Sequence, residues 1–253
     1  MSVEYLKQLL SELKQHGCCG VKISFEDEGA LLNEITTMRY LTASVGLELS
    51  VKIGGCEAKR DIVDVTNLCA DYIVAPMVES SFSLKKFVDS LAQSKFSNKR
   101  GINIETKLSV ENIEDISKHF KKIDFITFGR VDFVGSLEQP RNRVDSEEVF
   151  EHVKNVFTVA KKHNVQCYMG GSISSKSKKF ITDLIHQNLL DKFETRYVLF
   201  DTTKLNMENY DEVIRKANIF EIEWINYIST RYTELKNKDT ERVNMLLSRI
   251  STK

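Results

Sequence analysis

The chain reads as an α/β protein folded as a (β/α)8 TIM barrel, and three observations carry that reading. Short apolar runs alternate with longer amphipathic stretches along most of the 253 residues. Runs of that kind are the mark of parallel strands buried on both faces, with helices between them. No Gly/Ser/Pro-rich linker interrupts the chain, and Pro76 and Pro140 are its only prolines, so one compact unit is expected. Polar residues follow almost every strand: Glu26 and Glu28, Lys52, Glu79, Glu105 with Lys107, Arg130 with Asp132, and Ser172. A doubly wound sheet would gather such residues at one switch point, whereas a ring of loops around a barrel mouth distributes them as found.

The elements follow in order. Residues 1–15 place Val3, Leu6, Leu9, Leu10 and Leu13 on one helical face and include acids, a pattern unlike a signal peptide. Strands are expected at 20–25, 47–53, 72–77, 101–105, 125–129, 166–169 and 197–201, with helices at 28–45, 57–68, 81–94, 109–122, 146–163 and 174–188. Strict alternation implies a parallel sheet with right-handed crossovers. Asp145 or Ser146 starts the helix at 146–163, with Glu147 and Glu148 on its positive end. Beyond the last strand, a long amphipathic helix spans 210–235 and a shorter one begins at Asp239-Thr240. Val213, Ala217, Phe220, Trp224, Ile228 and Tyr232 share its stripe, as core packing or as a subunit interface. The expected division is a barrel domain over 1–205 and a helical extension over 206–253.

Composition excludes several classes of function. Lysine plus arginine equals aspartate plus glutamate at 36 each, so net charge supplies no general attraction to nucleic acid or an anionic membrane. Apolar runs fall far short of a bilayer span, and five cysteines without CxxC or Cys/His spacing fit neither a disulfide framework nor a zinc site. A soluble protein of the reducing cytoplasm is expected. No GxGxxG or GxxxxGKS follows the first strand, which removes the dinucleotide and P-loop fingerprints.

Two carboxylates stand out. Glu105 closes Gly101-Ile-Asn-Ile-Glu-Thr-Lys107, and Asp132 follows Phe125-Ile-Thr-Phe-Gly-Arg130. Both fall at the C-terminal rim, where side chains of neighbouring strands can converge on one hard cation. The plainer alternative is an ion pair for Glu105 and a loop cap for Asp132. Lys52 ends its strand beside Gly54 and Gly55; a lysine there can hold a carboxylate or phosphate, and glycines admit a ligand close to the backbone. Gly170-Gly171-Ser172 offers amides and a hydroxyl before a helix, either an anion cradle or an ordinary tight turn.

The runs Lys52-Ile-Gly-Gly-Cys-Glu-Ala58, Ile73-Val-Ala-Pro-Met-Val-Glu-Ser80, Asn103-Ile-Glu-Thr106 and Gly129-Arg-Val-Asp132 resemble, in order and spacing, the HpcH/HpaI aldolase/citrate lyase family over roughly residues 20–201. The resemblance implies a barrel that binds pyruvate-type 2-oxo acids through Mg2+ or Mn2+ and makes or breaks C–C bonds. It aligns Glu105 and Asp132 with the metal-binding carboxylates, Lys52 with a substrate-contacting arginine, and Asn103 with a glutamine near the metal waters.

Two departures bear on chemistry. The loop Ser24-Phe-Glu-Asp-Glu-Gly29 holds no histidine where the aldolases use one for proton transfer, so base work falls to Glu26 or Glu28, or to a metal-bound water. Lys52 is a point charge where the family has a bidentate fork. A third departure is structural. The family's first strand has no counterpart, which leaves the barrel incomplete or closed by the C-terminal segment.

The sequence therefore leads to a metal-dependent C–C lyase or aldolase acting on a 2-oxo acid through enolate stabilisation. Glu105 and Asp132 are the ligands, with Lys52 and Arg130 as anion contacts. Arg130 could equally be a structural partner of Asp132. Glu26 or Glu28 is the base, Glu79 positions a water, and Gly54, Asn103 and Ser172 contact substrate. A hydratase, hydrolase or phosphoenolpyruvate-type enzyme would use Lys22, Lys52, Lys107 and Arg130 on a more anionic substrate. A barrel that has lost its base and serves as a scaffold is the non-catalytic alternative. The apolar C-terminal stripe leads us to expect a homo-oligomer.

Overall fold

The computed structural model describes residues 2–251. In chain order the elements are α1 (Val3–Gln15), β1 (Cys18–Ser24), α2 (Leu32–Val45), β2 (Glu48–Lys52), α3 (Lys59–Asn67), β3 (Tyr72–Ala75), α4 (Ser81–Gln93), β4 (Lys99–Ile104), α5 (Lys107–Glu111) and α6 (Ile113–Ser117). They continue as β5 (Phe125–Gly129), α7 (Arg130–Ser136), α8 (Glu147–Lys162), β6 (Gln166–Gly170), α9 (Lys178–His186), β7 (Lys192–Glu194), β8 (Val198–Asp201) and α10 (Tyr210–Ile250). Strands β1 to β8 close a barrel in that order.

Alternation within each strand divides the core in two. Outward residues such as Val21, Val51, Ile73, Ile102, Phe128 and Met169 pack under the helices, while Tyr72, Val74, Phe125, Tyr168 and Leu199 fill the interior. Phe125 stacks on Tyr168 at 4.4 Å between centroids and meets Tyr72 edge-on at 5.5 Å. Gly101 is paired with Phe125 across the sheet, and a Cβ there would lie 2.2 Å from the Phe125 ring. Its missing side chain is what admits the ring. Towards the N-terminal end of the strands, Lys192 donates to the Tyr72 hydroxyl at 2.8 Å, lies 3.5 Å from Glu48 and faces the Tyr72 and Tyr168 rings. This layer plugs the barrel.

The closure differs from the expected parallel sheet. β1 to β7 are parallel, but β8 runs antiparallel to both neighbours, β7 and β1. Only residues 195–197 separate β7 from β8, and a connection that short makes a hairpin, since a parallel return needs a crossover of a dozen or more residues. The returning β8 pairs with both β7 and β1, so it is the C-terminal segment that closes the sheet. The barrel is complete.

Two helix expectations are also corrected. The stretch 109–122 divides into α5, α6 and a turn of 3-10 helix, because Asn112 ends one helix and starts the next while its side chain donates to the Glu79 carbonyl at 2.9 Å. α10, by contrast, runs unbroken past Asp239, and no glycine or proline lies within it. Its first part buries Tyr210, Val213, Ile214, Ala217, Phe220 and Trp224 in the outer core; from Tyr232 onward it is exposed. No described helix is long and apolar enough to cross a membrane.

Candidate active site

The mouth is assembled from residues that end the strands. Ser24, last in β1, is paired with Lys52, last in β2. The Ser24 hydroxyl accepts from the amides of Glu26 and Asp27 at 3.0 Å each, which turns the loop back over the barrel. Asp27 and Glu26 thereby come within 2.6 and 2.7 Å of Lys52 Nζ. Lys52 is only 3% exposed. Burial alone would lower its pKa, but Glu105, Asp27 and Glu26 outweigh it and hold the ammonium above its ordinary value.

Glu105 follows β4 and is 1% exposed. Its Oε1 accepts from the Met77 amide and its Oε2 from Asn103 Nδ2, both at 2.9 Å, which leaves each oxygen one further lone pair. Gly129 makes the room: a Cβ there would lie 2.6 Å from Glu105 Oε2 and 2.8 Å from its Cβ. Asp132, in the first turn of α7, faces the same cavity. Burial raises the pKa of both acids; Asp27 raises Asp132 further, and Asp132 raises Glu105.

The cavity of about 280 Å³ is lined by six carboxylates, Asp27, Glu28, Glu105, Asp132, Glu194 and Glu221, and by four cations, Lys22, Lys52, Arg141 and Arg196. The formal excess is two negative charges, and three of the cations are already paired. Lys22 meets Glu194 at 2.5 Å, Lys52 holds its two acids, and Arg196 Nε stands 2.9 Å from Glu28 Oε1. Arg141 Nε donates to Ser172 Oγ at 3.0 Å.

This donor set fits a divalent cation. Glu105 and Asp132 offer hard oxygens with raised pKa values, which is the state a nearby positive charge relieves, and the excess of two negatives matches its charge. No group of three or more His, Cys, Asp or Glu side chains among the described residues forms a ready metal cage, so substrate and water would supply the remaining ligands.

The expected residues divide accordingly. Glu28, Lys52, Asn103, Glu105, Asp132 and Ser172 line one cavity. Glu26 touches Lys52 from the exposed side of the loop and is not part of the lining. Gly54 gives its amide to Asp61 at 2.7 Å, and Glu79 accepts from the Thr106 hydroxyl at 2.7 Å, so neither faces the cavity. Arg130 is fully buried and turned away. It pairs with Asp145 at 2.6 Å, donates to the carbonyls of Gly170 and Gly171 at 3.2 and 2.8 Å, and stacks over Phe180. The reading of Arg130 as an anion contact is corrected: its donors are spent on joining the β5, β6 and α8 ends. Asp145 is its partner, and Ser146 caps α8.

Sequence reasoning missed Asp27, Thr127, Arg141 and everything from the β7–β8 turn and α10. Thr127 could have been found, since it lies two residues before Gly129 on the inward face of β5. Asp27 could not, because three consecutive acids in a loop carry no period.

A model of the HpcH/HpaI aldolase/citrate lyase family matches residues 30–180. The chain belongs to this family. It is a family of lyase-type enzymes, aldolases and citrate lyases. The fold is shared with an HpcH/HpaI aldolase/citrate lyase family protein from Burkholderia cenocepacia J2315, at TM-score 0.62 and 13% identity over 77% of this chain and 83% of that one. Citrate synthase SbnG superposes at TM-score 0.63 with 15% identity, covering 88% of this chain and 89% of its own. The HpcH/HpaI aldolase from Desulfitobacterium hafniense DCB-2 gives 0.61 and 14% over 77% and 83%. No curated protein matches by sequence. The family match ends before β7, so Glu194, Thr195, Arg196, Asn218 and Glu221 of the cavity lie outside it.

Proposed function

We propose that the chain is a divalent-metal-dependent C–C lyase or aldolase acting on a pyruvate-type 2-oxo acid. The observation that carries this is the convergence of Glu105 and Asp132 in a cavity two charges short of neutrality, beside the buried Lys52. Mg2+ or Mn2+ held by the two carboxylates would supply Lewis-acid polarisation of the 2-oxo group. Lys52 keeps one donor direction for the substrate carboxylate or the developing enolate oxygen, where its charge is worth more because the lysine is buried. Glu28 is the better placed of the two candidate bases. It lines the cavity, burial raises its pKa, and neither of its oxygens accepts a hydrogen bond. It would take the proton from C3 of the bound acid.

A more anionic substrate is poorly served. Of the four cations expected at the mouth, Lys107 and Arg130 do not line the cavity, and Lys22 and Lys52 are already paired with acids. All five cysteines are free thiols, in keeping with a reducing cytoplasm. The exposed face of α10, with Leu235, Val243, Leu246, Leu247 and Ile250, supports a homo-oligomer built on that helix.

Incubation with Mn2+ and a panel of 2-oxo acids, pyruvate among them, paired with aldehydes, or of their aldol adducts, tests the reaction by the 2-oxo acid formed or consumed. Turnover that needs the metal and disappears in Glu105→Gln supports the proposal. Turnover unchanged by chelation contradicts it.

A further inference from the structure

A second cavity, about 510 Å³ and larger than the first, lies between the β1–α2 loop and α10. Ile23, Tyr197, Trp224, Ile225 and Ile228 give it an apolar floor, a size and character suited to a small organic ligand. Glu28 lines this groove and the polar cavity alike. The Glu28 side chain is only 9% exposed, yet neither carboxylate oxygen has a hydrogen-bond donor; Arg196 Nε balances its charge at 2.9 Å without the alignment of a hydrogen bond. Buried carboxylates are normally satisfied by donors. Next to it Gly29 also lines the groove, and a Cβ on Gly29 would meet nothing within 4 Å. Glu28 is thus the residue the two linings share, with open space beside Gly29 on the groove side.

Apart from Ala30 and Glu34, the groove is built by parts of the chain outside the family match. Tyr197 and all its α10 residues lie beyond residue 180. A feature built outside the shared segment is where substrate choice can differ while the shared chemistry stays.

We infer that the groove is the subsite for an unbranched or aromatic apolar chain carried by the 2-oxo acid whose head group binds in the polar cavity. The inference rests on the reading of that cavity as a 2-oxo acid site. With Glu28 facing C3 of the acid, a substituent on C3 leads past Glu28 and Gly29 towards Trp224. The ligand class is a medium-length 2-oxo acid, or its aldol adduct, rather than pyruvate itself.

Trp224 is the only tryptophan in the chain, so its fluorescence reports groove occupancy. Pyruvate, 2-oxobutyrate, 2-oxohexanoate and 2-oxooctanoate would be titrated into the full-length protein with saturating Mg2+, and each affinity confirmed by calorimetry. The expected result is a gain of roughly three- to fourfold in affinity per added methylene, as apolar burial dictates, with a Trp224 signal only for the longer acids. Ser229→Phe fills the groove from the exposed helix face, and Ile225→Gln makes it polar; both should flatten the chain-length series while pyruvate binding is unchanged. Equal affinities along the series, with pyruvate bound, overturn the groove and leave the cavity reading standing. Long acids bound with a Trp224 signal but without dependence on Glu105 support the groove and overturn the cavity reading. Loss of a dimer in Ser229→Phe, with the chain-length series intact, assigns the groove to a second copy of the chain and overturns the proposal.

Discussion

Burial without a donor gives Glu28 a titration signature. Its folded pKa is raised above the ordinary 4.5, chiefly by desolvation, so the native state holds the proton more tightly than the unfolded chain. Stability therefore falls as pH rises from about 4.5 through the raised value, and is recovered on acidification. Glu28→Gln does not titrate and should gain on the wild type across that window; equal melting differences at pH 4 and pH 7 would contradict this. Gly129→Ala places a methyl 2.6 Å from Glu105 Oε2 and should cost about 1–3 kcal/mol in urea unfolding, besides displacing the acid. Arg130→Met leaves Asp145 and two glycine carbonyls without their donor and should cost about 3 kcal/mol. A loss of activity without loss of stability would instead return Arg130 to the chemistry. At this scale the sequence was legible where strand period applies. Lys52 and Asn103 lie on inward faces, and Glu105 continues the β4 alternation. Arg130 was misread because it follows directly on a strand while its side chain already belongs to the first turn of α7.

Among the elements, β7 was illegible because its three residues, Lys192, Phe193 and Glu194, turn two charges inward and leave no apolar run. β8 was found but its direction was not, since an apolar strand reads the same both ways and only the length of its connection decides. α10 shows the opposite limit. Its stripe was plain, but the point where its own barrel stops covering that stripe depends on packing. Truncation after Thr233 should leave the melting temperature within about 2–4 °C of the full chain, the shift expected from roughly 1 kcal/mol at this size, because residues beyond it are exposed. The same truncation should convert a dimer to a monomer in sedimentation. A shortened chain that remains dimeric would remove the outer half of α10 from the interface. Truncation after Asn209 exposes Val213, Phe220 and Trp224 and should abolish soluble expression.

For the whole molecule, equal numbers of acids and bases leave no net charge, and the cavity at the mouth carries a local excess of two negatives. The plug of Lys192, Tyr72 and Glu48 closes the other end, so the excess of two negative charges faces solvent through the C-terminal mouth alone. We propose that this excess holds a divalent ion through Glu105 and Asp132. Calorimetric titration of Mn2+ into the full-length protein at pH 7, with Glu105→Gln and Asp132→Asn alongside, tests it most directly. Micromolar binding of one ion per chain is expected in the wild type, tightened by pyruvate and lost in both variants. Binding of equal strength in all three proteins, or none in the wild type, would contradict it.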